Sequence, residues 1–394
     1  QWFDRRSMIS ASEARARSMS TALTHLECSK CGARHDADIE QHLCSCGGPL
    51  LARYDLKRAR VLLNASVLAQ RPADLWRFRE LLPVRDGQNV ISLGERTTPI
   101  VPLSDGLLVK DESPLPTGSF KARGAAIGIA RARELGVRDI ALPTNGNAGA
   151  AWAAYAARAG MRAHVAIPAA APSIHVRECT ELGAEVRVVD GTIADAGKLV
   201  ARWVASDGYY DASTLKEPYR IEGKKTLGFE IAEQFEWHLP DIVVYPTGGG
   251  VGLIGIHKAF EELRALGFMS NRTPRFVAVQ STGCAPLVRA WNERRTESVL
   301  WENPNTVAYG ISVPKAIGDF IVLRILRETG GTAIAIPDDA IDEARRRIAR
   351  GAGLLLCPEG AAAAAAADEL RKSGWIHDGE RVLMINTGSA LKCL

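Results

Sequence analysis

The stretch DIVVYPTGGGVGLIG (241–255) joins a short apolar run to a helical segment through three consecutive glycines. Runs rich in valine and isoleucine are typical of buried strands. Glycines at such a junction let backbone N–H groups approach an anion closely, and the next helix directs its positive end toward the same point. The stretch therefore predicts a strand, a phosphate-binding loop and a helix.

The same alternation continues on both sides of this unit. The apolar runs are 139–144, 163–168, 184–190, 241–247, 275–280, 332–337 and 381–387. The helical segments are 147–159, 173–182, 192–206, 222–235, 252–266, 338–350 and 359–372. Short buried strands separated by helices predict parallel sheets. We therefore expect an α/β fold of two open parallel-sheet domains, with ligands beyond the carboxyl ends of the strands.

Composition excludes several classes of protein. The 394 residues are 46% hydrophobic and 24% charged, with a net charge of +4. This charge is too small to indicate binding to nucleic acid or to a membrane surface, and no apolar run is long enough to span a bilayer. The eight cysteines do not resemble a secreted disulfide framework, and the start lacks the apolar core of a signal peptide. We expect a cytoplasmic protein that binds neither nucleic acid nor membranes.

Four cysteines near the start are spaced as in a zinc ribbon. Cys28 and Cys31 form a C-x-x-C pair, and Cys44 and Cys46 form a tighter C-x-C pair, each followed by glycine. Zinc takes four thiolate or imidazole ligands in a tetrahedron. The spacing predicts a zinc site, with three nearby histidines as substitute ligands. The alternative is a small lobe without metal. The histidines are His25, His35 and His42.

Polar side chains occupy other loops of the predicted sheets. Asn147 follows the run that ends at Thr144, and Thr387 ends the last run. Lys121 lies in LPTGSFKARGAA (115–126), where a loop turns into a helix of small residues. A phosphate loop, an amide, a hydroxyl and a lone lysine together suggest pyridoxal phosphate, whose aldehyde forms a Schiff base with a lysine amine.

The glycine loop also fits a second pattern. Gly250, Gly252 and Gly255 match G-x-G-x-x-G, which binds dinucleotides when an acidic residue at the end of the next strand holds the ribose. Here the next strand ends in Gln280 and Ser281. An NAD-dependent dehydrogenase is therefore disfavoured, and a single phosphate without ribose fits better.

Five motifs, in chain order, resemble the threonine synthase-like branch of the fold-type II pyridoxal-phosphate-dependent enzymes. KDESPLPTGSFKARG (110–124) is similar to the lysine motif of that family, and PTNGNAGAAWAAYAARAG (143–160) is similar to its asparagine loop. RIEGKKTLGFEIAEQF (220–235), PTGGGVG (246–252) and NTGSALK (386–392) follow in the expected order. The cysteine ribbon also resembles the N-terminal cap of the family.

The resemblance implies a domain organisation in which the cofactor lies in the cleft between the two α/β domains. We expect an extension over 1–24, a zinc-ribbon-like cap over 25–55, a helical linker or arm over 56–97, and a catalytic region over 98–394. Within that region, the smaller subdomain covers about 121–235, and the larger covers about 98–120 and 236–394. The resemblance also implies a homodimer.

The resemblance implies a role for each matching residue. Lys121 is similar to the Schiff-base lysine, which also moves protons, and Asn147 is similar to the amide that hydrogen-bonds the 3′-oxygen of the ring. Thr387 matches the residue that faces the pyridine nitrogen. The residues that match the phosphate-binding loop are Gly248, Gly249, Gly250 and Val251. The residues that match substrate-binding positions are Ser119, Thr144, Asn145, Arg220 and Lys224, of which Arg220 falls near the substrate phosphate.

The implied reaction converts O-phospho-L-homoserine and water to L-threonine and phosphate. Four departures cluster around the substrate positions. Glu217 stands where the family typically has asparagine, and Ala122 stands where threonine synthases typically have aspartate. The segment VAYGISVPKAIGDF (307–320) differs from that of the family, and GSALK (388–392) lacks the histidine of the family motif. They leave open an ammonia-lyase, a dehydratase or a β-replacement enzyme that acts on serine, threonine or a diamino acid. A catalytically silent relative that binds the cofactor is disfavoured, because Lys121, Asn147 and the glycine loop are intact.

Overall fold

A computed structural model describes residues 21–103, 106–269 and 272–393, so the first twenty residues of the predicted extension lie outside the described residues. The strands are β1 (Leu23–Cys28), β2 (Arg34–His35), β3 (Leu50–Tyr54), β4 (Ile100–Pro102), β5 (Leu107–Asp111), β6 (Asp139–Pro143), β7 (Arg162–Pro168), β8 (Glu185–Val189), β9 (Tyr210–Asp211), β10 (Ile242–Pro246), β11 (Arg275–Ser281), β12 (Thr332–Ile336) and β13 (Val382–Asn386).

The α-helices are α1 (Leu56–Leu62), α2 (Ala65–Ala69), α3 (Lys121–Glu134), α4 (Asn147–Ala159), α5 (Ser173–Glu181), α6 (Ile193–Asp207), α7 (Arg220–Gln234), α8 (Val251–Leu266), α9 (Pro286–Asn292), α10 (Asp319–Thr329), α11 (Asp338–Ala352) and α12 (Pro358–Lys372). Short 3-10 helices cover Arg79–Leu81, Gly87–Asn89, Pro116–Gly118, Tyr309–Ile311 and Ala390–Lys392. No helix within the described ranges combines the length and apolar character that crossing a bilayer requires.

The strands form three sheets. The cap sheet has the order β2-β1-β3 and is antiparallel. The large sheet has the order β12-β11-β10-β13-β5-β4 and is parallel except for its edge strand β4. The small sheet has the order β8-β7-β6-β9 and is parallel throughout. The predicted α/β fold with two open parallel sheets and a small N-terminal cap is therefore confirmed.

All the apolar runs predicted as strands form strands, and their bounds differ from the prediction by one residue or less at each end. Strands β4, β5 and β9 were not predicted. β9 has only two residues, and β5 ends in the charged residues Lys110 and Asp111, which hide its apolar character. The predicted division of the catalytic region into subdomains stays a prediction.

Within the predicted helical linker, the segment RPADLWRFRELLP (71–83) forms only the short 3-10 helix Arg79–Leu81. The guanidinium of Arg71 donates to the carbonyl oxygen of Arg77 at 2.6 Å, and that of Arg77 donates to the carbonyl oxygens of Arg71 and Pro72. These side chains therefore occupy carbonyl oxygens that a helix would need for its own N–H groups.

Helices α3 and α7 meet at their backbones. A Cβ atom on Gly223 would lie 2.0 Å from the carbonyl oxygen of Arg123 and 2.6 Å from Cα of Gly124, so only glycine fits there. The small residues after the predicted lysine thus allow two helices to lie side by side. Because α3 begins at Lys121 and α7 begins at Arg220, this contact brings both side chains to one region of the molecule.

A buried ion network joins α3 and α7 to the end of β5. Arg123 donates to Glu112 (Nε to Oε2, 2.5 Å) and to Glu230 (Nη1 to Oε1, 2.7 Å), and Lys110 donates to Glu230 at 3.0 Å. All four side chains are buried. Burial alone would raise the pKa of Glu230, but the charges of Arg123 and Lys110 lower that pKa to about 2. The network therefore fixes the helix that begins with Lys121.

Replacing Arg123 should destabilise the fold strongly. Arg123→Met would leave Glu112 and Glu230 buried with one lysine, and breaking a buried pair in this way costs about 3–5 kcal/mol. Urea unfolding would measure the loss. Arg162→Met is the control, because Arg162 is 73% exposed in an ion pair with Asp139 and should unfold as the unsubstituted protein does. Equal stability of the two variants would contradict the prediction.

Candidate active site

A cavity of about 1010 Å³ lies between the two parallel sheets, beyond the carboxyl ends of β6, β10 and β13. It is the position expected for a ligand of such sheets. The predicted residues that line it are Lys121, Thr144, Asn145, Asn147, Arg220, Lys224, Gly248, Gly249, Gly250, Val251 and Thr387. The remaining one, Ser119, lies behind the lining, and its buried hydroxyl has no hydrogen-bond partner among the described residues.

Lys121 is the first residue of α3, and its Nζ atom lies 4.4 Å from the centroid of the Phe120 ring. Part of the side chain is accessible from the cavity, yet the amine is surrounded by protein. Burial, and then the positive charge of Arg220, lower the pKa of Lys121 to about 8, while Glu359 opposes this change. A lysine with this pKa is partly neutral near physiological pH and is therefore a better nucleophile.

The glycine loop has no room for side chains. A Cβ atom on Gly248 would lie 2.8 Å from the carbonyl oxygen of Gly310, and one on Gly250 would lie 2.5 Å from Cγ2 of Val322. Gly250 also has a φ of +77°, which favours glycine. The helix Val251–Leu266 begins directly after the loop, so its N-terminal end adds positive charge. The loop is therefore built to hold an anion such as a phosphate group.

The asparagine loop is shaped by a hydroxyl. The Oγ1 atom of Thr144 accepts from the backbone N–H groups of Gly146 at 2.9 Å and Gly149 at 3.1 Å. The Nδ2 atom of Asn145 donates to the carbonyl oxygen of Ser312 at 3.2 Å, across the cavity mouth. Thr144 therefore fixes the turn in front of α4, and Asn145 joins this turn to the opposite wall.

The end of β13 and the lysine loop are joined. The backbone N–H of Phe120 donates to the carbonyl oxygen of Thr387 at 3.0 Å, and Ser119 pairs with Gly388. The hydroxyl of Thr387 lies 3.6 Å from the sulfur of Cys357. Burial raises the pKa of Cys357 well above its ordinary value, so its thiol is neutral. Both groups beside the cavity at this point are uncharged and polar.

Two further cations face the cavity beside Lys121. The guanidinium of Arg220 lies 4.8 Å from the ring centroid of Trp152, and Nζ of Lys224 lies 4.0 Å from that of Phe120. Burial lowers the pKa of Arg220 to about 10. Burial and the charge of Lys121 hold the pKa of Lys224 well below its ordinary value. No ion pair joins any of the three groups to a carboxylate in the described part of the chain, and Arg220 and Lys224 donate to hydroxyl and carbonyl oxygens instead.

Glu217, the first departure from the family pattern, turns away from the cavity. Its carboxylate accepts from the backbone N–H groups of Tyr219 at 2.9 Å and Arg220 at 2.6 Å, at the start of α7. Burial raises its pKa to about 7. Lys216 pairs with Asp211 at 2.9 Å instead of with Glu217. The carboxylate therefore caps the helix that carries Arg220 and does not oppose an anion in the cavity.

Sequence reasoning missed three residues at the site, Cys357, Glu359 and Lys392. The Oε1 atom of Glu359 accepts from the backbone N–H of Gly310 at 2.7 Å and lines the cavity near Lys121. The motif CPEG (357–360) begins the alanine-rich helix α12, and an acidic residue in a first helical turn was a usable signal. Lys392 ends the motif NTGSALK (386–392), in which only Thr387 was assigned a role from the sequence.

The site fits pyridoxal phosphate, the cofactor that the sequence predicts. The glycine loop offers backbone N–H groups at a point where a Cβ atom on Gly248 or Gly250 would collide with its neighbours. Lys121 offers an amine of lowered pKa in the same cavity. An anion-binding loop and a nucleophilic amine suit a cofactor that carries a phosphate and an aldehyde.

The cap brings its four cysteines together. The sulfur atoms of Cys28 and Cys46 lie 3.4 Å apart, those of Cys31 and Cys46 lie 3.5 Å apart, and those of Cys31 and Cys44 lie 3.6 Å apart. All four atoms lie within 4.8 Å of one another. A tetrahedral zinc ion with Zn–S bonds of about 2.3 Å requires similar separations. The group fits zinc without the histidines that the sequence left as substitute ligands.

We expect one zinc ion per chain, measured by elemental analysis of the purified protein. Cys44→Ser should lose most of the zinc and lower the melting temperature, because metal binding at such a site stabilises the fold around it. Cys284→Ser, which changes a buried free cysteine outside the cap, should keep the zinc. Full zinc content in Cys44→Ser, or its absence from the unsubstituted protein, would contradict this prediction.

Comparisons with known proteins agree with this site. Residues 91–388 match the family described as pyridoxal-phosphate dependent enzymes. A threonine synthase of Methanocaldococcus jannaschii is 33% identical over 374 residues, which cover 93% of this chain and 92% of that protein. A threonine synthase of Methanosarcina acetivorans is 34% identical over 378 residues, with the same coverage of 93% and 92%.

Solved structures share the fold. A diaminopropionate ammonia lyase from Escherichia coli has a TM-score of 0.65 and covers 77% of this chain and 86% of its own, at 21% identity. At that identity the likeness shows the fold alone. The family match covers most of the chain, and the curated relatives cover nearly all of it. The chain therefore belongs to the fold-type II pyridoxal-phosphate-dependent enzymes, in their threonine synthase-like family.

Proposed function

We propose that the protein is a threonine synthase, which converts O-phospho-L-homoserine and water into L-threonine and phosphate. The observation that carries the proposal is the group of three cations, Lys121, Arg220 and Lys224, which face one cavity without an ion-paired carboxylate among the described residues. The two archaeal relatives named as threonine synthases support the same reaction.

Buried like charges repel one another and are costly without anions beside them. Burial lowers the pKa values of Lys121, Arg220 and Lys224, and repulsion among these groups also lowers those of Lys121 and Lys224. The glycine loop is assigned to the cofactor phosphate, and we assign Arg220 to a second anion. A phosphorylated substrate supplies one, and the planar guanidinium suits phosphate oxygens. Serine or threonine would bring only a carboxylate, which is assigned to Thr144 and Asn145.

Each site residue predicted from the sequence then has a role in the proposed reaction. Pyridoxal phosphate, when bound, supplies the electron sink that makes protons near the substrate nitrogen acidic. We assign proton transfer to and from the substrate carbons to Lys121, because its amine is partly neutral. Asn147 would donate to the 3′-oxygen of the ring, and the neutral hydroxyl of Thr387 would face the ring nitrogen. A neutral partner suits elimination and replacement better than transamination.

The remaining assignments concern the residues that bind the cofactor phosphate and the substrate. Gly248, Gly249, Gly250 and Val251 hold the cofactor phosphate. Ser119, Thr144 and Asn145 are assigned to the amino-acid part of the substrate.

The atoms of the proposed reaction balance. Cγ of the substrate loses phosphate, which leaves with the oxygen of the broken bond, and Cγ gains a proton. Cβ gives up a proton and takes the hydroxyl of water. The proton of Cα is removed and returned, and the second proton of water ends on phosphate.

The test measures threonine and phosphate from O-phospho-L-homoserine in one reaction. A parallel reaction measures oxo-acid from serine, threonine and diaminopropionate, with Lys121→Ala as the blank. Threonine and phosphate in equal amounts would support the proposal. Oxo-acid formation without threonine or phosphate would refute it and favour the ammonia-lyase or dehydratase alternative.

We also propose that the enzyme is a cytoplasmic homodimer with a cap over 25–55, a linker over 56–97 and a catalytic region over 98–394. The family resemblance supports the dimer and the boundaries, and the composition supports the compartment. Sedimentation equilibrium at the mass of one chain would refute the dimer, and limited proteolysis inside rather than between these segments would refute the boundaries.

A further inference from the structure

Lys392 lies beside the amide that is assigned to the cofactor ring. Its Nζ atom donates to Oδ1 of Asn147 at 3.3 Å and forms an ion pair with Oε1 of Glu178 at 2.7 Å. The Lys392 side chain is only 11% exposed. The other carboxylate oxygen of Glu178 lies 3.2 Å from Nδ1 of His175. Lys392 thus links Asn147 to Glu178 and His175 on the neighbouring helix α5.

The backbone around Lys392 holds it in place. Gly118, in the lysine loop, has a φ of +61°, and a Cβ atom there would lie 3.2 Å from Cε of Lys392. The N–H of Ser389 donates to the carbonyl oxygen of Gly118 at 2.8 Å. The ring of His175 covers Gly146, where a Cβ atom would lie 2.2 Å from its Cδ2. Three loops of the site therefore meet at Lys392.

A lysine ammonium group donates hydrogen bonds and accepts none, so only the oxygen of an amide can face it. Lys392 therefore fixes Asn147 with Oδ1 toward the ammonium group and Nδ2 away from it. No described residue accepts a hydrogen bond from Nδ2, and a Cβ atom on Gly388 would lie 3.7 Å from it. The donor is left for a ligand of the cavity that offers an acceptor oxygen.

We propose that Lys392 is a positioning residue that orients the Asn147 amide toward the ring oxygen of pyridoxal phosphate. Its charge, held by Glu178, also lies close enough to favour a negative ring oxygen over a protonated one. The inference rests on the proposed role of Asn147 and is independent of which amino acid is the substrate. Glu178 contributes by keeping the ammonium group beside the amide.

The experiment titrates the apoenzyme with pyridoxal phosphate and follows the visible absorbance of the bound cofactor against pH. Lys392→Met should raise the Kd about tenfold, the usual effect of one lost charge-assisted hydrogen bond. The apparent pKa of the bound chromophore should rise, because a nearby positive charge that favoured the deprotonated form is gone. Lys392→Arg keeps a positively charged group that only donates hydrogen bonds. It should therefore restore most of the change in the Kd and most of the change in the apparent pKa of the chromophore.

Lys372→Met is the matched control, because Lys372 is an exposed lysine at the end of α12, ion-paired to Glu369. It should change neither the Kd nor the absorbance titration. Melting temperatures of the apoenzymes separate a misfolded variant from a folded one. A lower melting temperature for Lys392→Met together with no rescue by Lys392→Arg would mean a purely structural role and would overturn the proposal.

The pairing with Asn147 is tested by a double-mutant cycle. If Lys392 acts through the amide, Asn147→Ala combined with Lys392→Met should bind the cofactor as Asn147→Ala alone does. Additive losses in Kd would overturn the proposal, as would an unchanged Kd and titration in Lys392→Met. An unchanged Kd in Asn147→Ala would overturn the proposed role of Asn147 as well. The proposed reaction would still stand, because the assay of threonine and phosphate tests it separately.

Discussion

Lys121→Ala should form threonine and phosphate at least about 10³-fold more slowly than the unsubstituted enzyme, because one residue supplies both the nucleophile and the proton carrier. The start of α3, which carries this lysine, is fixed by the Arg123 network and the Gly223 contact. The visible absorbance of covalently bound cofactor should disappear in the same variant. Both are measured on one preparation.

The fold of this variant should survive. Lys121 has no ion pair with a described carboxylate, and the removal of a buried charge of lowered pKa relieves repulsion with Arg220. The melting temperature of the apoenzyme should therefore not fall. Lys372→Ala, which removes an exposed lysine, should keep full activity. Retention of activity in Lys121→Ala would exclude this lysine as the cofactor ligand.

Arg220→Ala should lower kcat/KM for O-phospho-L-homoserine by about 10²- to 10³-fold, since loss of a desolvated charge contact to an anion costs about 3–4 kcal/mol. Pyridoxal phosphate should still bind, because the cofactor phosphate is assigned to the glycine loop. Steady-state kinetics with phosphate detection would measure the effect.

The matched variant is Arg220→Lys, which keeps the charge but loses the planar fork, so it should recover only part of the lost kcat/KM. Slow side reactions with unphosphorylated serine should be less affected by Arg220→Ala than the reaction with O-phospho-L-homoserine. Equal loss with both substrates would mean that Arg220 supports the fold of the site and does not bind the substrate phosphate.

Local patterns predicted the parts of the fold that local physics decides. Runs such as AHVAIP (163–168) form strands because their side chains are buried on both faces of a parallel sheet, and periodic segments between them form helices. Lys121, Asn147, the glycine loop and Thr387 were found because each stands at the end of a strand or the start of a helix, where a one-dimensional motif marks the position.

Contacts between distant residues explain what the sequence did not reveal. The apolar residues at 71–83 have helical spacing, but two arginines bind the carbonyl groups that a helix needs. Lys392 and Asn147 are 245 residues apart, and nothing local marks their hydrogen bond. From the sequence alone, the carboxylate of Glu217 would repel a phosphate group at the substrate positions. In the structure it binds backbone N–H groups at the start of α7 instead.

The position of β13 has a consequence for biosynthesis. This strand lies between β10 and β5, and Asn386 at its end donates to Asp111 at 2.8 Å across 275 residues of sequence. During translation the small sheet β6–β9 can close on itself early, while one edge of β5 stays unpaired until β13 has been synthesised. A growing chain therefore exposes this edge of β5 until β13 has emerged from the ribosome.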